Sequence, residues 1–166
     1  NRRRQGSPDH SARTTGWEYV HVCVDDATRL AYVEVLEDGG DHSDRFLGRA
    51  VAPVRAYGVR VERVMTDNGS AYVSLAHAVA CKKLRIKHIR TRPTPRTNGK
   101  AERFIRTMLG GWAYGAIYHD SGERHAALNG WLDFSNRRRP HGSLSHQPPL
   151  TRLETLTRNN LAGSYN

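Results

Sequence analysis

Cysteine is scarce in this chain, with two among 166 residues. Cys23 and Cys81 stand far apart, which argues against a disulfide-stapled fold. Both are expected to be free, buried thiols of a reducing compartment, with no metal-binding role. Long apolar runs are missing too. No stretch approaches the roughly 20 residues of a membrane-spanning helix, and no charged-then-apolar leader opens the sequence. The expectation is a cytoplasmic protein with no membrane partner. Apolar content is a low 37%, so part of the chain should lie extended or lean on a partner. Strand-like and helix-like patterns nevertheless exclude global disorder. Acidic side chains are few and, in one region, almost absent. From Asn68 to His119 only Glu102 carries a carboxylate.

Positive charge is what abounds. Lys and Arg number 26 against 16 acids, a formal charge of +10. Such a balance points to a polyanionic partner. The charge is also concentrated: Lys82, Lys83, Arg85, Lys87, Arg90, Arg92, Arg96, Lys100, Arg103 and Arg106 all fall within one short segment. A lone Glu102 amid these cations either pairs with Arg106, one helical turn on, or has a chemical task.

The length suits one domain. Residues 1–16 show no apolar period and are expected to form a flexible basic arm. Trp17 to Val24 alternates, Asp25-Asp26-Ala27-Thr28 turns, and Leu30 to Leu36 resumes strand character, which predicts a β-hairpin. After a loop at Glu37-Asp38-Gly39-Gly40, Asp41 or Ser43 caps a helix carrying Phe46, Leu47, Ala50, Val51 and Val54, with Pro53 expected to kink it. Val61 to Thr66 is a short strand ending in the turn Asp67-Asn68-Gly69-Ser70. A helix over Leu75–Leu84 and a short strand over Ile86–Ile89 follow, and Thr91–Asn98 is a loop. A helix starts at Gly99 or Lys100 and buries Phe104, Ile105, Met108, Leu109 and Trp112, weakened later by Gly110-Gly111. Another spans Ser121–Asn136 and buries Ala127, Leu128, Trp131 and Phe134. Residues 17–139 form the expected core, and 140–166 an extended C-terminal tail. The order of elements predicts an α/β fold with a mixed sheet flanked by helices.

Asp67 ends a buried strand and Glu102 opens a helix beyond a proline-bearing loop. Two carboxylates from different elements at a sheet edge suit a hard cation such as Mg2+, which takes its other ligands from water and phosphate. Such ions support in-line phosphoryl displacement without a nucleophilic side chain. Asp67 and Glu102 are thus the candidate catalytic and metal-binding residues. Arg92, Arg96, Lys100, Arg103 and Arg106 are the candidate DNA-backbone contacts. Asn68 and Gly69 shape the first turn, Gly99 lets the loop turn, and Asn98 is expected to cap the Glu102 helix.

Four blocks carry a resemblance. They are Val24-Asp25-Asp26-Ala27-Thr28-Arg29, Thr66-Asp67-Asn68-Gly69-Ser70-Ala71-Tyr72, Arg92-Pro93-Thr94-Pro95-Arg96-Thr97-Asn98-Gly99-Lys100-Ala101-Glu102-Arg103, and Asn136-Arg137-Arg138-Arg139-Pro140-His141-Gly142-Ser143-Leu144 with Gln147-Pro148-Pro149. In this order and spacing they resemble the core of retroviral-type integrases and the transposases of bacterial insertion sequences. The resemblance implies an RNase H-like fold, a triad of acids with Asp67 second and Glu102 third, and a divalent metal. It also implies DNA strand cleavage and transfer by an assembly of at least two subunits. The family's first acid lies on a strand ahead of the hairpin, where this sequence offers only Asp9, so the chain is expected to lack that strand. Asp25 and Asp26 are expected to shape their turn. Arg137 to Arg139 either grip a second DNA segment or are simply exposed. His88, His119 and His125 are ordinary histidines, and Tyr114 and Tyr118 lack the surroundings of a recombinase nucleophile. Two other functions remain open: a non-catalytic DNA-binding remnant and an RNase H-like nuclease.

Overall fold

The computed structural model describes residues 19–36, 43–91 and 98–162. The predicted basic arm, Trp17, the Glu37–Gly40 loop, and Arg92 and Arg96 lie outside them. Strands β1 (Tyr19–Val24) and β2 (Ala31–Leu36) form the expected antiparallel hairpin, with Val22 opposite Val33 and His21 opposite Glu34. Period-two alternation then gives the hairpin two unlike faces. Val22, Val33 and Val35 pack on one side against Met108, Trp112 and Leu128. On the other, His21 and Tyr32 meet Phe46, with ring centroids 5.2 and 5.8 Å apart. Phe46 belongs to α1 (Ser43–Ala56), which runs through Pro53.

Strand β3 (Arg63–Thr66) pairs in parallel with β4 (Lys87–Arg90), and α2 (Leu75–Leu84) connects them. A second core gathers Leu47, Val51 and Val54 of α1 with Ala80, Cys81 and Ile86. The sheet is therefore divided: among the described residues β1 pairs only with β2, and β3 only with β4. A cleft of about 1660 Å³ separates the two pairs. Val20, Val22 and Val24 of β1 line it, as do Val64, Met65 and Thr66 of β3.

Helix α3 (Gly99–Met108) packs on β1, then widens into a π-helical turn over Leu109–Ala113. The expected weakening at Gly110-Gly111 takes this form. A Cβ on Gly111 would lie 2.7 Å from the Trp131 indole nitrogen, so the absent side chain admits that ring. Ile105 and Phe134 were expected inside but are 36% and 49% exposed. Along α3 and the π-helical turn the inward stripe is Phe104, Met108 and Trp112, leaving Ile105 beside it on the cleft wall. In α4 (Ser121–Arg137) it is Leu128, Leu132 and Ser135, which turns Phe134 outward. Cys81 is buried as expected, whereas Cys23 is only partly so.

The predicted extended tail is a larger correction. Residues Pro149–Ala162 form a helix, α5, and Leu153 is 2% exposed within the second core. Its signal was present but masked by the Pro, Ser and His around it. Leu150, Leu153 and Leu156 recur at helical spacing, and Pro149 occupies a first helical position, where a missing N–H costs little. Leu153→Ala is expected to destabilise the fold by about 2–5 kcal/mol, read by thermal melting; a loss below about 0.5 kcal/mol would return α5 to the status of an appendage.

Polar pairs join the layers. The Asn136 side chain donates to the Ala31 carbonyl at 2.8 Å and accepts from its N–H at 3.0 Å, closing α4 onto β2. Arg49 of α1 donates to Glu34 at 2.6 Å and Tyr32 also donates to that carboxylate. The Arg49 hydrogen bond is the main reason Glu34 titrates below the usual carboxylate range, against the opposing effect of burial. A lowered native value makes this contribution complete above the ordinary carboxylate range and lost as pH falls through the native value. Glu34→Gln should cost about 1 kcal/mol at neutral pH, because Arg49 remains half exposed. It should also flatten the fall of melting temperature on acidification. An equally steep acid fall in the variant would exclude Glu34 as its source.

Candidate functional site

The turn that carries Asp67 begins where β3 ends. Thr66 is buried, and its hydroxyl meets His88 Nε2 at 2.8 Å. Asp67 follows, exposed at the strand's C-terminal end and on the cleft wall. Its Oδ1 accepts the Gly69 N–H at 3.0 Å, and a Cβ on Gly69 would sit 3.0 Å from that oxygen. Glycine thus lets the turn close over the carboxylate. Asn68 donates to the Thr91 carbonyl at 3.2 Å, tying the turn to the end of β4. Both structural assignments therefore have a physical basis. Tyr72 completes the turn and lies 3.2 Å from His21 Nδ1, a hydrogen bond that links the two strand pairs. Burial pushes the Tyr72 hydroxyl up to about 12, with Asp67 contributing.

The first turn of α3 reaches the same cleft through Asn98, Gly99, Lys100, Ala101 and Arg103. Glu102 sits within that turn but is exposed and outside the cleft wall. It forms no ion pair with Arg106 and no hydrogen bond through its carboxylate to any described residue. The Asp67 turn and the first turn of α3 thus line one large cleft, but no hydrogen bond or ion pair among the described residues joins them, and the two carboxylates do not meet. Asn98 precedes α3 but its side chain makes no capping bond; its carbonyl instead accepts the Glu102 N–H at 3.1 Å. A Cβ on Gly99 would meet nothing within 4 Å, so packing does not require glycine there.

Lys100 is engaged rather than free: its ammonium pairs with Asp26 in the hairpin turn. That hydrogen bond is the first cause of Asp26 titrating below the usual carboxylate range. Asp25 shapes the turn as expected, accepting from the Thr28 hydroxyl at 2.6 Å and its N–H at 2.8 Å. Arg103 and Arg106 are both exposed. Sequence reasoning missed a basic cluster. Burial first, then Arg29, Arg139 and Arg103, hold His141 below the ordinary histidine value, and all four residues line the cleft. Guanidiniums from the hairpin, α3 and the segment after α4 thus all act on His141 and line the same cleft, which linear spacing does not reveal.

Two family models described as integrase core domain match this chain, one over residues 8–95 and the other over 82–149. The chain belongs to the integrase core domain family. Among its relatives, the "Retrovirus-related Pol polyprotein from transposon TNT 1-94" of Nicotiana tabacum is 33% identical over 95 residues, 57% of this chain and 7% of that protein. The "Putative integrase ORF3" of Spiroplasma virus SpV1-C74 is 28% identical over 154 residues, 84% of this chain and 42% of that protein. The chain therefore spans less than half the length of either relative. A chain in the cryo-EM structure of the simian T-cell lymphotropic virus intasome, in complex with the PP2A regulatory subunit B56 gamma, superposes with a TM-score of 0.66. The identity is 21%, over 81% of this chain and 47% of that one. The likeness supports the RNase H-like α/β fold expected from the sequence. Within this integrase core, the Asp67 turn and the α3 first turn belong to two of the four blocks that carry the resemblance.

Proposed function

We propose that this integrase core cuts and joins DNA phosphodiesters, as the catalytic centre of a transposase or integrase of the DDE type. The observation that carries the proposal is that the Asp67 turn and the first turn of α3 both line one large cleft, with Arg29, Arg103 and Arg139 also on its wall. Asp67 and Glu102 fit a divalent ion by donor chemistry. Both are exposed carboxylates, Glu102 is uncommitted to any described residue, and Mg2+ or Mn2+ accepts one or two protein carboxylates with water completing the shell. When bound, such an ion stabilises charge on phosphate oxygens during in-line displacement by water or a DNA 3′-hydroxyl.

The chain's own groups position and hold. Arg29, Arg103 and Arg139 contact backbone phosphates, the sequence-independent part of DNA affinity. The Lys100–Asp26 pair docks the α3 first turn onto the hairpin, and Tyr72 with His21 keeps the strand pairs in relative position. Among the described residues the edges of β1 and β3 are each left unpaired on one side, which is where a strand carrying the family's first acid would fit. Two DNA ends must be held at once, so the working assembly is at least a dimer on DNA, in the cytoplasm of a cell hosting an insertion-sequence-type element.

The test is metal-dependent joining of DNA ends by the protein, with the preceding strand supplied in the same chain. Failure to join ends while binding DNA would favour the non-catalytic reading, which the position of Glu102 outside the cleft wall supports. Arg103→Ala and Arg139→Ala should each lower the slope of log affinity against log salt by about 1, uniformly across DNA sequences. An unchanged slope would remove these guanidiniums from the interface.

A further inference from the structure

We propose that His77, Cys81 and His88 form a zinc site behind the Asp67 turn, separate from the carboxylate chemistry. His77 and Cys81 lie four positions apart on α2, so one helical face presents both, and His88 comes from β4, which α2 packs against. One ligand atom from each residue falls within 4.8 Å of the other two. The imidazoles of His77 and His88 sit edge to face, with centroids 4.7 Å apart at 71°. His77 is 1% exposed and Cys81 4% exposed.

Two imidazoles and a thiol are a borderline-soft donor set, suited to zinc rather than to a hard oxygen-seeking cation. Around zinc, such donors stand roughly 3.5 Å apart, which small side-chain rotations from the observed arrangement can reach. Binding releases one proton, from the Cys81 thiol, and forms two Zn–N bonds and one Zn–S bond; water completes the tetrahedron. The Thr66 hydroxyl is in place as the outer partner that orients a ligating imidazole. Because Thr66 precedes Asp67, the metal would clamp α2 to β4 and so steady the end of β3.

The experiment titrates the purified protein with zinc and with cobalt. One equivalent of zinc is expected to bind per chain. The cobalt form should show thiolate-to-metal charge-transfer absorption, which no carboxylate site produces. Cys81→Ser should abolish that absorption, whereas Cys23→Ser should leave it intact. His77→Gln and His88→Gln should each weaken zinc binding by more than the roughly 10–100-fold cost of losing an outer partner. No charge-transfer band in the unmutated protein at saturating cobalt would overturn the site, whatever the variants' stability. A band lost in Cys23→Ser and kept in Cys81→Ser would do the same. Since magnesium-dependent joining is read separately, failure of either proposal leaves the other standing.

Discussion

Asp67→Asn is expected to reduce metal-dependent joining of DNA ends by at least about 10³-fold, a barrier increase of roughly 4 kcal/mol. Asparagine keeps the size and the acceptor that meets the Gly69 N–H, so the turn should survive. What is lost, on the proposed function, is the negative charge that would hold a divalent ion against phosphate. Glu102→Gln should act equally strongly, since Glu102 has no described structural partner whose loss could explain the defect. The double variant should be little worse than either single one, because groups serving one ion are non-additive. DNA affinity and its salt slope should be unchanged in all three, as they depend on the guanidiniums. Joining within tenfold of the unmutated protein in either single variant would end the enzymatic proposal.

Trp112→Ala is expected to destabilise the fold by about 3–5 kcal/mol. Trp112 is 2% exposed and central to the core between the hairpin and α4. Its indole N–H also donates to the Arg124 carbonyl at 2.7 Å, and its own carbonyl accepts from Tyr118 at 2.8 Å. For a chain of this size the melting temperature should fall by about 10 °C or more. Trp112→Phe separates the contributions: it retains most of the apolar contact and loses the indole hydrogen bond, costing about 1–2 kcal/mol beyond the repacking. Thermal melting of both variants would exclude this account if Trp112→Ala lost less than about 1 kcal/mol.

Much of the fold was legible because local patterns were strong. The Tyr19–Val24 and Ala31–Leu36 strands show alternation around an Asp-rich turn, and α2 and α4 fall where their apolar residues recur. The turn at Asp67 was legible from Asp-Asn-Gly, in which the Asp67 carboxylate closes it locally by accepting the Gly69 N–H. Phe134 and Ile105 were misplaced because a helix has one inward stripe, and a residue one position off it faces solvent whatever its hydrophobicity. The α5 helix was missed because Pro148-Pro149 looks like a break when read along the chain, and only burial of Leu153 shows it to be a beginning. His77 and Cys81 were passed over because the spacing of two residues on one helix says little until a third donor arrives from β4.

The sequence alone determined those properties that depend on neighbours along the chain. They are the hairpin, β3, β4 and helices α1 to α4 with most of their boundaries, the basic character, the acid at a strand end and the acid in a helix's first turn. Tertiary structure decided what depends on distant residues meeting: the cleft dividing the sheet, the engagement of Lys100 by Asp26, the gathering of Arg29, Arg103 and Arg139, and the place of Glu102 outside the cleft wall. Side-chain periodicity records which face of an element is buried. It does not record which other element covers that face, because long-range pairing is selected by packing and charge over the whole chain.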